Sequence, residues 1–173
     1  MNRSFISYDV DTAPAGSRAI LAETARNFGK VLSPLARLAA SPLALQAALS
    51  NLQTFEQGSL APLEREVLAM TMGRKNGCHY CVALHQRLLK MQEAPLSLIE
   101  ALEQGLPLES PRLEALRTFT LALLEHTGDV PNQEWQQFLA AGFDRAAALE
   151  VVVGVAAYTL TTFANRLTEA PLD

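Results

Sequence analysis

The chain of 173 residues predicts an all-α fold, a single-domain bundle of roughly eight helices, and three observations lead there. Nearly half the residues are apolar, aromatics are few, and Ala and Leu, strong helix formers without a β-branch, dominate. Apolar residues recur at helical rather than alternating spacing in most segments. Short Pro, Gly, Ser and Asn punctuation separates those segments, and no long linker or low-complexity stretch divides them.

Taken in order, residues 1–16 read as a loosely structured lead-in. From Ser17 to about Leu32, Ile20, Leu21, Phe28 and Val31 recur at helical spacing, with Gly29 near the end. Ser33-Pro34 and Ser41-Pro42 each read as a cap followed by a first-turn proline. The second of these helices runs through Leu43, Leu45, Leu49 and Leu52 toward Phe55. Pro62 opens the next, with Glu64 in the first turn where the macrodipole favours an anion, and Val67, Leu68, Met70 and Met72 as core filler. Asn76-Gly77 is a stop, since both residues tolerate the left-handed conformation.

A helix from Cys78 to about Met91 follows, then a short one from Ser97 to Gln104. Ser110-Pro111 caps a helix ending before Gly128, where His126 reads as a helix-end residue. Asn132 to Ala140 carries Trp135 and Phe138, and Asp144 caps a last helix running to about Arg166. Val151 to Ala157 in that helix is apolar on every side, which predicts burial all round, and Asn165-Arg166 reads as a surface helix end, with a reach to a neighbouring active site as the alternative.

A formal charge of −4 with no block of like charges gives no basic surface for nucleic acid and no polybasic membrane patch. The first residues lack the apolar run of a signal peptide, and Val151 to Leu160 is too short to span a bilayer. The expected address is cytoplasmic. In that reducing compartment a C-x-x-C pair argues for redox or metal chemistry over a structural staple.

That pair lies in the most informative stretch, Asn76 to His85, which holds both cysteines and two of the three histidines. At ~100° per residue, Cys81 lies ~60° to one side of Cys78 and His85 ~20° from it, so all three share one helix face. Glu66 lies about as far before the Asn76-Gly77 turn as His85 lies after it, so a helical hairpin brings the carboxylate to the imidazole. A carboxylate there fixes the tautomer and raises the basicity of the histidine. The expected order is Glu66, His85, then a thiol. Cys78 is favoured as thiolate by its place at a helix start, and Cys81 by His85 one turn on; from the residues the choice stays open. The spacing also suits an intramolecular disulfide. A zinc site of Cys78, Cys81 and His85 with His79 or Glu66 is the competing reading, though His79 points ~100° away and no second cysteine pair exists. Tyr80 reads as packing.

Glu66, an eleven-residue gap, Cys78-x-x-Cys81, three residues and His85 together resemble the alkyl hydroperoxidase D-like branch of the carboxymuconolactone decarboxylase superfamily. Glu64-Arg65-Glu66, Asn76-Gly77-Cys78 and Ala141-Gly142-Phe143 agree with it, and the resemblance spans about Phe28 to Arg166. It implies a helical subunit with a catalytic hairpin, assembled as trimers or hexamers, and a thiol-dependent peroxidase without cofactor or metal. By position, Cys81 would attack the hydroperoxide, Cys78 would be its disulfide partner, and His85 with Glu66 would relay protons. An external dithiol or a lipoyl-type protein would be the reductant. The best-known members place a histidine immediately before the second cysteine; here Tyr80 stands there and His79 one position earlier. Lactone-decarboxylating members are not expected to use a C-x-x-C pair. Two alternatives stay open: a thiol–disulfide oxidoreductase acting on a protein partner, and a non-enzymatic helical oligomer that binds metal or senses oxidation.

Overall fold

A computed structural model describes residues 5–173, and every regular element among them is an α-helix. There are nine: α1 (Ala15–Phe28), α2 (Ser33–Leu38), α3 (Pro42–Glu56), α4 (Pro62–Lys75), α5 (His79–Met91), α6 (Leu96–Gln104), α7 (Pro111–Glu125), α8 (Asn132–Ala140) and α9 (Arg145–Thr168). The first four residues of the lead-in lie outside the described residues. Of the remainder, Tyr8 N–H donates to the Ala36 carbonyl at 3.0 Å and Ala13 is buried, so this segment is fastened before α1 begins.

The punctuation acts as its chemistry requires. Ser41, Ser110 and Asp144 cap their helices by accepting from the backbone N–H of Ala44, Leu113 and Ala147. Gly29 and Gly77 take positive φ, 74° and 64°, and end α1 and the α4–α5 turn. Ser33 departs from expectation. Leu32 occupies the cap position of α2, and the Ser33 hydroxyl instead donates to Asp173 at 2.7 Å. At α4 the Glu64 carboxylate accepts from Ala61 N–H at 2.8 Å and from Arg112 Nε at 2.6 Å, fixing the start of the helix.

α4 is the centre of the molecule, in contact with α5, α6, α7 and α9. Val67 through Met70 and Met72 are fully buried, the expected core, joined by Leu89, Leu116, Phe119, Phe138 and Val151. A smaller cluster around Leu21, Leu38, Leu45 and Ala48 binds α1 to α3. Phe28, the last residue of α1, and Leu43, in the first turn of α3, both read from spacing as core-facing, are exposed.

α9 corrects a larger expectation. Its residues Val151, Gly154, Ala157 and Tyr158 face α3 and α4 and are buried, but Leu149, Val152 and Val153 are exposed. The helix runs along the outside of the bundle, so the described residues cover one side of it only. By length and hydropathy alone α9 is able to cross a membrane. Its buried Thr162 and Asn165, paired with groups of the hairpin, mark it as a helix of the bundle.

Candidate active site

The site forms where α4 and α5 fold back on one another. The close approach of the two helices depends on Gly73, where an added Cβ would lie 3.2 Å from the Cβ of Cys81. At the turn, Asn76 caps α4 and Cys78 caps α5, its sulfur accepting from the backbone N–H of Cys81 at 3.2 Å. Cys78 and Cys81 are joined as a disulfide, with Cα atoms 5.3 Å apart.

The hairpin brings Glu66 to His85 as its register requires. His85 Nδ1 and Glu66 Oε2 are 2.8 Å apart, and both side chains are buried. Nδ1–H donates to the carboxylate, which leaves Nε2 as the nitrogen free to exchange a proton. The Glu66 carboxylate is thus no solvated surface group. The edge of Tyr158 packs against the imidazole at a centroid distance of 5.3 Å. Burial first, and then the negative charge of Glu66, push the Tyr158 hydroxyl far above its ordinary range, so it stays protonated. No hydrogen bond links His85 directly to either sulfur.

All four expected residues, Glu66, Cys78, Cys81 and His85, therefore converge at one hairpin. His79 is exposed, and among the described residues no group of three or more His, Cys, Asp or Glu is arranged to hold a metal.

Three residues of α9 complete the site and escaped the reading of the sequence. Asn165 is buried and its Nδ2 donates to Cys81 Sγ at 3.4 Å, with Cys78 Sγ at 3.9 Å. Thr162 accepts from Asn76 Nδ2 at 2.9 Å, and Tyr158 packs on His85. Arg166, beside them, donates to the Asn76 carbonyl at 2.8 Å and lies over Gly77. The signal was present: Tyr158, Thr162 and Asn165 stand at i, i+4 and i+7, a polar stripe on an otherwise apolar helix. Asn165 is not a surface helix end; it is buried and meets the disulfide of its own chain.

A recess of about 260 Å³ has Gly77, Cys78, His79, Tyr80, Asn165 and Arg166 among its walls; Cys81 and His85 do not line it, and both cysteines are buried. Tyr80 is packing, as expected, and its hydroxyl donates to the Asp173 carboxylate. Burial, then that hydrogen bond, raise Tyr80 well above its ordinary range. Burial alone would raise Asp173, but the hydrogen bonds from Tyr80 and Ser33 outweigh it and hold the carboxyl below 3.8. The larger hollows, 380 Å³ beside α6 and 890 Å³ along the outer face of α9, contain no cysteine.

The carboxymuconolactone decarboxylase family model matches residues 42–122, a span from α3 through most of α7 that includes the whole hairpin. The fold is that of a crystal structure described as an alkylhydroperoxidase AhpD core, an uncharacterized peroxidase-related protein from Ralstonia eutropha. The TM-score is 0.83 at 19% identity, over 96% of this chain and 90% of that one. An uncharacterized peroxidase-related protein from Silicibacter sp. is similar with a TM-score of 0.79 at 17% identity, over 98% of this chain and 93% of that one. Among curated proteins, none matches the sequence.

Proposed function

We propose that this chain is a member of the alkyl hydroperoxidase D-like branch of the carboxymuconolactone decarboxylase superfamily, with a thiol-dependent peroxidase activity centred on Cys78 and Cys81. The observation that carries this reading is the buried Glu66–His85 pair beside a C-x-x-C disulfide. A paired histidine and two thiols able to close on one another are the parts that a dithiol peroxide cycle needs.

In the forward half of the cycle, His85 Nε2 takes the proton of the Cys81 thiol, through a water where no direct contact exists. The thiolate attacks the terminal oxygen of the hydroperoxide, and the O–O bond breaks. Cys81 becomes a sulfenic acid, and the departing alkoxide receives the proton from His85 and leaves as an alcohol. The Cys78 thiol then displaces water from the sulfenic acid and the disulfide forms. Glu66 stabilises the protonated imidazole between the two transfers.

In the return half, an external dithiol or a lipoyl-type protein enters at the recess and its thiolate attacks Cys78. The Cys78–Cys81 bond breaks, Cys81 leaves as thiolate, and the donor's second thiol resolves the mixed disulfide. The same recess at Cys78 supports a second reading, exchange with the disulfide of a protein partner. Rates with a protein disulfide far above those with organic hydroperoxides would select it. The protein works in the cytoplasm as a homo-oligomer, a trimer or hexamer in the pattern of its superfamily, with the exposed apolar face of α9 available for self-contact.

Intact-mass analysis with thiol counting tests the proposal, before and after one equivalent of cumene hydroperoxide on the reduced protein. The expected result is the loss of two hydrogens and of both thiols in the wild type, abolished in Cys81→Ser. Two unreacted thiols in the wild type would overturn it.

A further inference from the structure

The Asn165 side chain is oddly placed for a residue that only fills space. It is buried on an apolar helix, its amide N–H points at the disulfide, and its Oδ1 has no hydrogen-bond partner. A disulfide sulfur is a weak acceptor, so this donor gains little from the oxidised state. A thiolate at the same position is a strong acceptor, because hydrogen bonds to a charged group are roughly twice as strong as neutral ones. The amide is nearer Cys81, at 3.4 Å, than Cys78, at 3.9 Å.

We propose that Asn165 is the thiolate-stabilising donor of Cys81, preorganised by α9 for the reduced state. The role rests on the peroxidase reading only for which reaction it serves. In that cycle Cys81 is a thiolate twice, as nucleophile toward the hydroperoxide and as leaving group when the disulfide opens. One amide on this sulfur therefore favours both halves. Its unpartnered oxygen accepts the O–H that arrives on the same sulfur when Cys81 becomes a sulfenic acid. Thr162 on the turn before, held to Asn76, fixes the height of α9 against the hairpin and so aims the amide. Preorganisation of this kind places the donor before charge develops.

The test needs no peroxide. The Cys81 pKa is read from the pH dependence of iodoacetamide alkylation in a Cys78→Ser background, with and without Asn165→Leu. Leucine keeps the volume and removes the donor. Asn165→Ala is the second variant, used if leucine disturbs folding by circular dichroism. Loss of the donor raises the Cys81 pKa by about one unit, tenfold in thiolate at a pH below both values. In the otherwise wild-type chain, at a pH above both thiol pKa values, the disulfide becomes about tenfold harder to reduce, about 30 mV more negative. A folded variant with unchanged Cys81 pKa and unchanged potential overturns the proposal. A raised pKa in a protein whose wild type consumes no hydroperoxide would leave the donor role standing and remove the peroxidase reading.

Discussion

Along α9, the face turned to the bundle buries Thr162 at 0% exposure and Asn165 at 7%, whereas the opposite face leaves Leu149 at 70% and Phe163 at 57%. The polar residues are inside and several of the largest apolar ones are outside. Each buried polar group earns its position through a named partner: Asn76 for Thr162 and the sulfurs for Asn165. The exposed apolar face has no such partner among the described residues. The difference teaches that the inner face is set by contacts with the hairpin, whereas no contact among the described residues sets the outer face.

The comparison breaks most easily at Gly154 on the inner face. An added Cβ would stand 2.6 Å from the Phe55 ring and 3.0 Å from Leu68. Gly154→Ala should therefore cost about 1–3 kcal/mol of stability by overpacking, measured by urea denaturation. A neutral result would mean that α9 is less firmly seated on α3 and α4 than the contacts require.

On the outer face, Phe163→Glu sharpens the contrast. The stability of the separated chain should change by less than about 0.5 kcal/mol, as for an exposed site, while the mass from light scattering falls to that of one chain. An unchanged mass would place the self-contact elsewhere.

The smallest effect concerns the segment that leaves α9, where Asp173 accepts from Tyr80 and Ser33. The Asp173 carboxyl is held below its ordinary 3.8, so its contribution is complete above that pH and is lost as pH falls through the lower folded value. Tyr80 is raised above its ordinary 10.0, so its contribution is complete below pH 10 and fades above it. Asp173→Asn should lower the urea midpoint slightly at pH 7, and the gap to wild type should narrow below pH 3.8. A gap that does not narrow as the pH falls below 3.8 would assign the effect to something other than the charge.

The four candidate site residues were legible because their convergence depends on one local geometry. Glu66, Cys78, Cys81 and His85 lie on two helices joined by a turn that Asn76-Gly77 announces, so helix rise and turn position settle their register. The helices themselves were legible from caps such as Ser41, Ser110 and Asp144, whose short side chains satisfy backbone N–H groups wherever they occur. Asn165 was not legible, because 84 residues separate it from Cys81 and no local rule says which helix crosses the hairpin. The same limit explains α9. Hydrophobic periodicity reports that a face is to be covered and is silent on which chain covers it. At Ser33 the local rule misled, since Asp173, 140 residues away, takes the hydroxyl that the helix start would have used.

Cys78 carries one further consequence, for how variants of this protein are to be interpreted. Its sulfur is both a redox atom and the first-turn cap of α5, accepting from Cys81 N–H. Alanine at this position removes both at once; an oxygen cap is worth about 1 kcal/mol of helix stability, and the weaker sulfur acceptor contributes less. Serine keeps an acceptor at the cap and deletes only the thiol. The pair of variants therefore separates secondary-structure support from the proposed redox role at one residue.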